Sequence, residues 1–560
     1  MEWIIPQQIN TPLVEWIYKT RGIEQDNIEF FKPSKKNLHS PLLLHNVEKA
    51  AETIKKYIGT KKKIYIHGDF DVDGITATSI MWQFLYRDMG LNALPYIPSR
   101  FTEGYGLSEE SINKLLNDGA ELIITVDCGV KDNELVNKYS DKVDFIITDH
   151  HTILPKISEV KGGKISGEYL ISASAKAVCH PRLGSYPFHE LCGAAVAWKV
   201  CSGINEILNL NINVDKYLDL VAIGTVCDVM PLVDENRTLL KLGLNELRNT
   251  NNLGIKSLSK LLNLKIQEID TYHLGFIIGP RINATGRLED AMDAVRLLTT
   301  LDTRFAQKMS SKLDSLNLER QQLTQKFIEI AELQINNQID DHLFFVYGED
   351  WPEGIIGLIA GKLTEKYHRP VIVASHKNER FKASARSIEE FHIANALSNH
   401  SALLLTHGGH AQAAGLSFEA SNLEQLVQSL KLSASAALEK VNLVKKLKID
   451  GIGTLEDVNS ITYEKLNSLS PFGMANKKPV ICFLDITPEK VKVFGKDNNH
   501  LKLIFQSKNT DIEALAFNNT EYINVIDFAK NIDIAGTIEK NVWNGKESFF
   551  IKIDDIRQSN

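Results

Sequence analysis

Paired cysteines are missing from this chain. Its six cysteines, at 128, 179, 192, 201, 227 and 482, include no C-x-x-C spacing, which argues against both a zinc ribbon and a disulfide framework. They read as buried thiols. Long hydrophobic runs are missing as well: no stretch reaches the ~18 uninterrupted apolar residues expected of a membrane-spanning helix. The amino terminus, MEWIIPQQIN, has no basic region followed by an apolar one, so a cytoplasmic protein is expected. Positive charge is in deficit, with 63 Lys and Arg against 70 Asp and Glu and a net charge of −7. That sum advertises no nucleic acid, yet a whole-chain total can hide a basic groove beside acidic surfaces. The lysine clusters at Lys61-Lys62-Lys63, Lys445-Lys446-Lys448 and Lys477-Lys478 are each more often a solvated face than a phosphate track. Internal repeats and low-complexity tracts are absent.

What is present is an ordinary globular composition, 43% hydrophobic and 24% charged, in 560 residues. That length is too great for one core and predicts three or more domains. Residues 1–60 read as a helical entry segment. From Lys63 short apolar strands alternate with amphipathic helices, and Leu122–Val126 and Phe145–Thr148 are the next clear strands, the pattern of a parallel α/β sheet. A long helix is expected through Met309, Leu313, Leu316, Leu323, Phe327 and Ile330, which mark one face. It would join the first unit to a second α/β unit with strands near Leu343–Val346 and Val371–Ala374 and a helix from Gly357 to Tyr367. Beyond about Val441 short alternating runs such as Val480–Leu484 and Leu501–Phe505 predict a small β domain, a barrel. The expected division is therefore 1–60, 61–300, 301–340, 341–440 and 441–560.

The most informative stretch is His67-Gly68-Asp69-Phe70-Asp71-Val72-Asp73-Gly74, directly after the apolar Ile64-Tyr65-Ile66. Like charges at alternate positions repel, and such clusters persist mainly where a cation neutralises them. A calcium loop of the EF-hand type does not fit, because the twelfth residue counted from Asp69 is Ile80 rather than glutamate. The segment reads as strand, acidic turn and helix, which puts the carboxylates at the carboxyl end of a strand, where open α/β sheets hold ligands. The other strands end in polar chemistry too: Asp127-Cys128-Gly129, and Asp149-His150-His151. With Asp228, in Val226-Cys227-Asp228-Val229, four segments converge on one strand-end face. Carboxylates and imidazoles without thiolates suit manganese or magnesium, less so zinc. Their number exceeds the needs of one ion and fits a two-metal phosphoester hydrolase. Successive side chains of an extended segment point oppositely, so one of His150 and His151 is expected on metal and the other on substrate.

These segments, in this order, resemble the four motifs of the DHH phosphoesterase superfamily. Ile97-Pro98-Ser99-Arg100, Glu103-Gly104-Tyr105-Gly106-Leu107 and Gly279-Pro280-Arg281-Ile282-Asn283-Ala284-Thr285-Gly286-Arg287-Leu288 narrow the resemblance to the RecJ family. So do Glu353-Gly354-Ile355-Ile356-Gly357, Ser384-Ala385-Arg386-Ser387, Gly408-Gly409-His410-Ala411-Gln412-Ala413-Ala414-Gly415 and Ser470-Pro471-Phe472-Gly473, so that it runs over nearly the whole chain. It implies a DHH domain and a DHHA1-type domain joined by a long helix, with a carboxy-terminal OB-type domain that binds nucleic acid. It implies a metal-dependent exonuclease that degrades single-stranded DNA from the 5′ end to 5′-mononucleotides in repair and recombination, with two divalent ions, Mn2+ or Mg2+. Carried over by position, Asp71, Asp127, His150 and Asp228 would be core metal ligands, with His67, Asp69 and Asp73 completing the cradle. Catalysis would fall to Asp69, Asp71, Asp127 and His151, the last beside the scissile phosphate. Arg281 and Asn283, in a glycine-rich turn, would contact phosphate, and His410 would approach the strand. Ser384 and Arg386, with Arg100, would grip the 5′-terminal phosphate. Expected partners are single-stranded DNA, single-strand-binding protein and a RecQ-type helicase; a monomer without a membrane contact is expected.

Two departures stand out. Where many RecJ chains carry Trp-His this one has Trp351-Pro352, so no histidine role carries over there. The stretch from Pro155 to Cys179, with Lys161-Gly162-Gly163-Lys164, is longer than usual and reads as a surface insertion. Two other readings compete. A small-substrate DHH phosphoesterase would be shorter and lack the terminal β domain, and a metal-free replication scaffold of this fold would have lost ligands that are all present here.

Overall fold

Strand 63–68 of the computed structural model is buried on both faces from Ile64 onward, which is why Ile64-Tyr65-Ile66 is a continuous apolar run rather than an alternating one. The structure describes residues 1–7, 11–24, 26–100, 102–104, 106–153, 170–507 and 511–559. Residues 155–169 of the expected insertion, with Lys161-Gly162-Gly163-Lys164, and Tyr105 lie outside the described residues. The chain divides into two compact units, Lys35–Leu443 and a second made of Met1–Ser34 with Val444–Asn560.

In the larger unit five parallel strands lie in the order Ala93–Tyr96, Lys63–Gly68, Ala120–Val126, Asp144–Thr148, Ala177–Cys179. From strand 63–68 the chain passes first to one neighbour and then to the other, so the carboxyl ends of 63–68 and 120–126 flank a switch point, where the connections leave an open crevice. Helices Val72–Trp82, Gly193–Ile207 and Leu218–Cys227 are buried on nearly every side, in the largest apolar core of the chain.

Helix Thr303–Ile335 runs 33 residues, roughly 50 Å at 1.5 Å per residue. Its first half enters the core of the parallel sheet through Ala306, Met309 and Leu313, and its last half packs Ile328, Ala331 and Ile335 under a second sheet. That sheet is mixed, in the order Thr406–Gly409, Ala413–Glu419, Arg380–Arg386, Val371–Lys377, Phe344–Glu349, with only the last pair parallel. Trp351 is buried against Phe327, ring centroids 5.1 Å apart, and Pro352 opens the helix Glu353–Tyr367. Proline is suited to that place because the first N–H groups of a helix have no partner to lose.

The smaller unit holds a seven-stranded sheet in the order 451–453, 481–486, 532–543, 546–558, 512–516, 500–505, 490–494. The entry segment expected over residues 1–60 is thus divided between units. Glu2–Ile4 pairs in parallel with Lys446–Lys448, and helix Leu13–Thr20 buries Leu13, Ile17 and Tyr18 in the core of the smaller unit. Residues 279–288, expected as a glycine-rich turn, are a helix whose Ile282, Ala284 and Thr285 are buried. Five of the six cysteines are buried and Cys227 is half-buried; all are free.

Candidate metal centre

Strand 63–68 delivers the acidic run to the crevice, and each aspartate is fixed there by backbone donors. Asp69 accepts from its neighbour's Phe70 N–H at 2.7 Å. Asp71 caps helix Val72–Trp82, its Oδ1 accepting from the N–H groups of Asp73 at 2.9 Å and Gly74 at 3.1 Å. Asp73 reaches across to the amino end of helix Gly193–Ile207, where Gly193 N–H and Ala194 N–H donate to its two oxygens. A helix amino terminus is a favourable place for a carboxylate, so the charge of Asp73 is partly compensated before any ligand arrives.

Strand 120–126 ends at Asp127, which takes a left-handed φ of 62°, a conformation that costs a non-glycine residue energy and collects at functional sites. The cradle closes tightly behind these groups. A Cβ on Gly193 would stand 2.5 Å from Asp127 Cβ, and one on Gly224 would stand 2.6 Å from Asp73 Oδ1, so neither position admits a side chain.

Strand 144–148 ends in Asp149-His150-His151. The Asp149 carboxylate accepts from Val130 N–H at 2.9 Å, His150 N–H at 2.7 Å, His151 N–H at 3.1 Å and the His151 ring Nδ1 at 2.8 Å. These bonds turn the chain, so the segment is not extended and the two rings lie side by side, 4.6 Å between centroids. Both therefore reach Asp127, contrary to the opposed arrangement expected of an extended segment. His150 Nε2 lies 3.0 Å from Asp127 Oδ1, 3.6 Å from Asp228 Oδ2 and 3.8 Å from Asp73 Oδ2. His151 Nδ1 stands 3.9 Å from Asp127 Oδ1, its proton directed to Asp149.

Among the described residues three groups of donor atoms lie within 4.8 Å of one another: Asp127, His150 and His151; Asp73, His150 and Asp228; Asp69, Asp71 and Asp127. Asp127 and His150 are each shared by two groups. His67 belongs to none of the three, yet its Nε2 is buried without a hydrogen-bond partner. Carboxylates and imidazoles only, several of them buried, are the donor set of a divalent cation with a preference for oxygen.

The electrostatics carry the same signature. Burial first, then the neighbouring carboxylates, push Asp69, Asp127 and Asp228 well above the usual carboxylate range. Burial and Asp71 lift Asp73 to about 6 against the pull of the Ala194 and Gly193 N–H groups. Burial lowers His67 to about 4, and burial together with the charge of His151 lowers His150 to about 3; both are neutral at pH 7, as a metal ligand must be. Burial pulls His151 down as well, but the hydrogen bond and charge of Asp149 outweigh it and hold this ring above the ordinary histidine value. Asp149 itself is pushed up by burial and brought below the usual range by His151, His150 and Val130 N–H.

A second patch has the opposite sign. Arg100 lies over the Phe70 ring at 4.1 Å, beside Asp69 and Asp71. Burial lowers Arg287 to about 9, and Arg100, Arg320 and Arg386 push the same way; its Nη1 donates to Gly354 O at 2.9 Å. Arg386 Nη1 donates to Ser384 Oγ at 3.2 Å. A Cβ on Gly357 would stand 3.0 Å from Ser384 Oγ and 3.3 Å from Arg386 Nη2, so the first turns of helix Glu353–Tyr367 pass directly beside the pair.

The structure thus brings together Asp69, Asp71, Asp73, Asp127, His150, His151 and Asp228, and sets Arg100, Arg287 and Arg386 in one field. It does not gather every expected residue. Arg281 is turned to the long helix, Nε to Asp314 Oδ1 at 2.8 Å and Nη1 to Ile277 O at 2.7 Å, and Asn283 is half-buried on the same helical segment. His410 is exposed, its N–H held by Ala413 O in the hairpin 406–419. Sequence reasoning gave no role to Asp149, whose signal was adjacency alone, nor to His180. That buried ring donates from Nε2 to His151 O at 2.8 Å and accepts Arg182 N–H at Nδ1 at 3.0 Å, and burial lowers it to about 4.

Residues 63–225 match the DHH family, N-terminal domain, residues 340–436 the DHHA1 domain and residues 449–555 the RecJ OB domain. The chain is 34% identical over 557 residues to the single-stranded-DNA-specific exonuclease RecJ of Bacillus subtilis, spanning 98% of this chain and 68% of that protein. It is 31% identical over 576 residues to the enzyme of the same name from Haemophilus influenzae, spanning 98% and 96%. The crystal structure of RecJ in complex with Mn2+ from Thermus thermophilus is similar with a TM-score of 0.83 at 25% identity, over 100% of this chain and 80% of that one. With DHH, DHHA1 and OB domains in one chain and relatives above 30% identity across nearly its whole length, the chain belongs to the RecJ family.

Proposed function

We propose that the chain is a metal-dependent exonuclease that removes 5′-mononucleotides from single-stranded DNA in the 5′ to 3′ direction, in repair and recombination. The observation that carries this reading is the trio of donor groups linked through Asp127 and His150, each of which belongs to two of them. It supports two divalent ions, Mn2+ or Mg2+, one toward Asp69, Asp71 and Asp127 and the other toward Asp73, His150 and Asp228, with His67 as a further candidate ligand. When bound, such ions would neutralise the buried carboxylates and supply positive charge to the nonbridging oxygens of a phosphodiester.

The rest of the chemistry falls to the chain's own groups. Arg386, Ser384 and Arg100 would hold the 5′-terminal phosphate through charge-assisted hydrogen bonds, and Arg287 would add charge behind them. Asp149 keeps the Nδ1 proton of His151 occupied, which would leave Nε2 to deliver a proton to the departing 3′-oxygen as a water oxygen bonds to phosphorus, gives up its own proton to solvent, and the phosphorus–O3′ bond breaks. Arg281 and Asn283 would serve substrate only after Arg281 leaves Asp314; His410 would meet a strand at the surface. We assign 61–300 to the catalytic domain, 301–340 to the connecting helix, 341–440 to the substrate domain and 441–560 to the nucleic-acid-binding domain. Among the described residues no helix is long and apolar enough to cross a membrane. By family resemblance the enzyme would act in the cytoplasm and meet single-strand-binding protein and a RecQ-type helicase on DNA.

The test is degradation of 5′-labelled single-stranded DNA, duplex DNA and short RNA with Mn2+, Mg2+ or chelator. Labelled 5′-mononucleotide from single strands alone, abolished by chelator, is expected. Equal rates on duplex, or a preference for dinucleotides, would overturn the reading.

A further inference from the structure

Away from the cradle, a hollow of about 520 Å3 lies between the end of helix Asp234–Arg248, helix Leu253–Leu261 and the turn Ile266–Glu268. Arg248, Lys256, Lys260 and Lys265 line it, and no acidic side chain does. Lys265 reaches Glu268 at 3.1 Å, an exposed pair of little strength, and Lys256 reaches Asn251 Oδ1 only at 3.5 Å. Arg248 and Lys260 stand in the last turns of their helices, where the macrodipole favours a cation. The macrodipole does not account for Lys256 or Lys265.

It also leaves two buried donors unexplained. Ser259, 3% exposed, lines the hollow, and its hydroxyl has no hydrogen-bond partner. Elsewhere helix hydroxyls such as Thr53, Ser79, Ser202 and Thr324 donate to the carbonyl four residues before. Arg248 Nη2 donates to Ile269 O at 3.2 Å, but its Nε is buried without an acceptor. A buried donor left without a partner is costly, and two of them beside four cations describe a place built for an oxyanion.

We propose that this hollow binds a mononucleotide, its phosphate held by Ser259 Oγ, Arg248 Nε and the lysines, its base against Leu264 and Ile266 with Gln267 at the edge. The volume suits one small ligand rather than a continuous strand. Beneath it Thr250 donates to Asp219, in the first turn of helix Leu218–Cys227, the helix whose far end carries Asp228. Nine residues of helix, about 13 Å, therefore separate the floor of the hollow from the metal cradle.

Calorimetric titration of the full chain with 5′-deoxyadenosine monophosphate in chelator tests the site without any turnover, so its outcome is independent of the exonuclease reading. Ser259→Ala and the pair Lys256→Ala with Lys260→Ala should each weaken one class of binding about tenfold or more, whereas Arg386→Ala should leave that class intact. Deoxyadenosine without phosphate should not bind there. Because Ser259→Ala removes an unsatisfied hydroxyl, its Tm should match or exceed the parent's, which separates lost binding from lost folding. Unchanged binding in Ser259→Ala and in the lysine pair, loss of the same class in Arg386→Ala, or equal binding of an unphosphorylated nucleoside would overturn the proposal.

Discussion

The acidic cradle and the arginine patch sit in the same unit and are mirror images in charge. In the cradle, burial and mutual repulsion press Asp69, Asp127 and Asp228 toward protonation. In the patch, burial and neighbouring guanidiniums press Arg287 the other way, to about 9, and burial lowers Arg386. Neither cluster is neutralised internally, although Arg100 stands beside Asp69 and Asp71. A fold that kept these charges for its own stability would have paired them, since an unpaired buried charge is expensive. Each pole is instead suited to a ligand of opposite sign, a cation at the first and, on the proposed reading, a phosphate at the second. The comparison also separates two kinds of failure: damage to the first should abolish the reaction, and damage to the second should change which end of a strand is used.

The largest effect should come from the cradle. Asp127→Asn should lower kcat by at least about 10³-fold, on the order of losing a principal electrostatic group, and at the same time raise the Tm of the metal-free chain, because it removes a charge that burial and four neighbouring carboxylates disfavour. Steady-state kinetics and thermal melts in chelator check both; a lower metal-free Tm would break the comparison at its acidic pole.

Next is the Asp149–His151 pair. His151→Gln should cost about 10²-fold in kcat, the usual scale of general-acid catalysis. Asp149→Asn removes what holds the His151 ring above its ordinary value, so activity that needs the protonated ring should fall at lower pH; the alkaline limb of the pH–rate profile should move toward acid. Smaller again, Arg386→Ala should lower kcat/KM on 5′-phosphorylated strands about tenfold or more while 5′-hydroxyl strands lose less. An equal loss on both would mean that the positive pole does not read the terminal phosphate.

The smallest effect is on stability. Asp73 is raised from the usual 3.8 to about 6 in the folded chain, so between those values the native state binds more protons than the unfolded one. Its contribution is fully present below pH ~4 and is lost as pH rises through about 6. Divalent ions bind the deprotonated form, so the rise in Tm on adding Mn2+ should be small at pH 4.5 and grow toward pH 7, and Asp73→Asn should flatten the metal-free decline.

The cradle was legible because its chemistry is dense in sequence and falls largely at strand ends: His67 to Gly74, Asp127 and Asp149-His150-His151 need only a parallel sheet to meet. Asp228, expected on the same strand-end face, instead reaches them from the carboxyl end of helix Leu218–Cys227. What stayed hidden depends on distant or backbone-mediated contacts. The four bonds that bend Asp149-His150-His151 out of an extended path are made by main-chain N–H groups and one ring, and main-chain donors leave no residue type to read. The pairing of Glu2–Ile4 with Lys446–Lys448 spans most of the chain, and three residues carry too little pattern to announce it. Gly279 and Gly286 suggested a turn, but burial of Ile282, Ala284 and Thr285 outweighs the low helix propensity of glycine. Ser259 was unremarkable in sequence because only the structure shows that its hydroxyl lacks a partner.

The proposed two-ion centre rests on donor groups that overlap at Asp127 and His150. Equilibrium dialysis with Mn2+ at pH 7, followed by metal analysis of the protein, tests it most directly: two ions per chain are predicted, with loss of at least one in Asp127→Asn, whereas a stoichiometry of one or none in the parent would contradict the account.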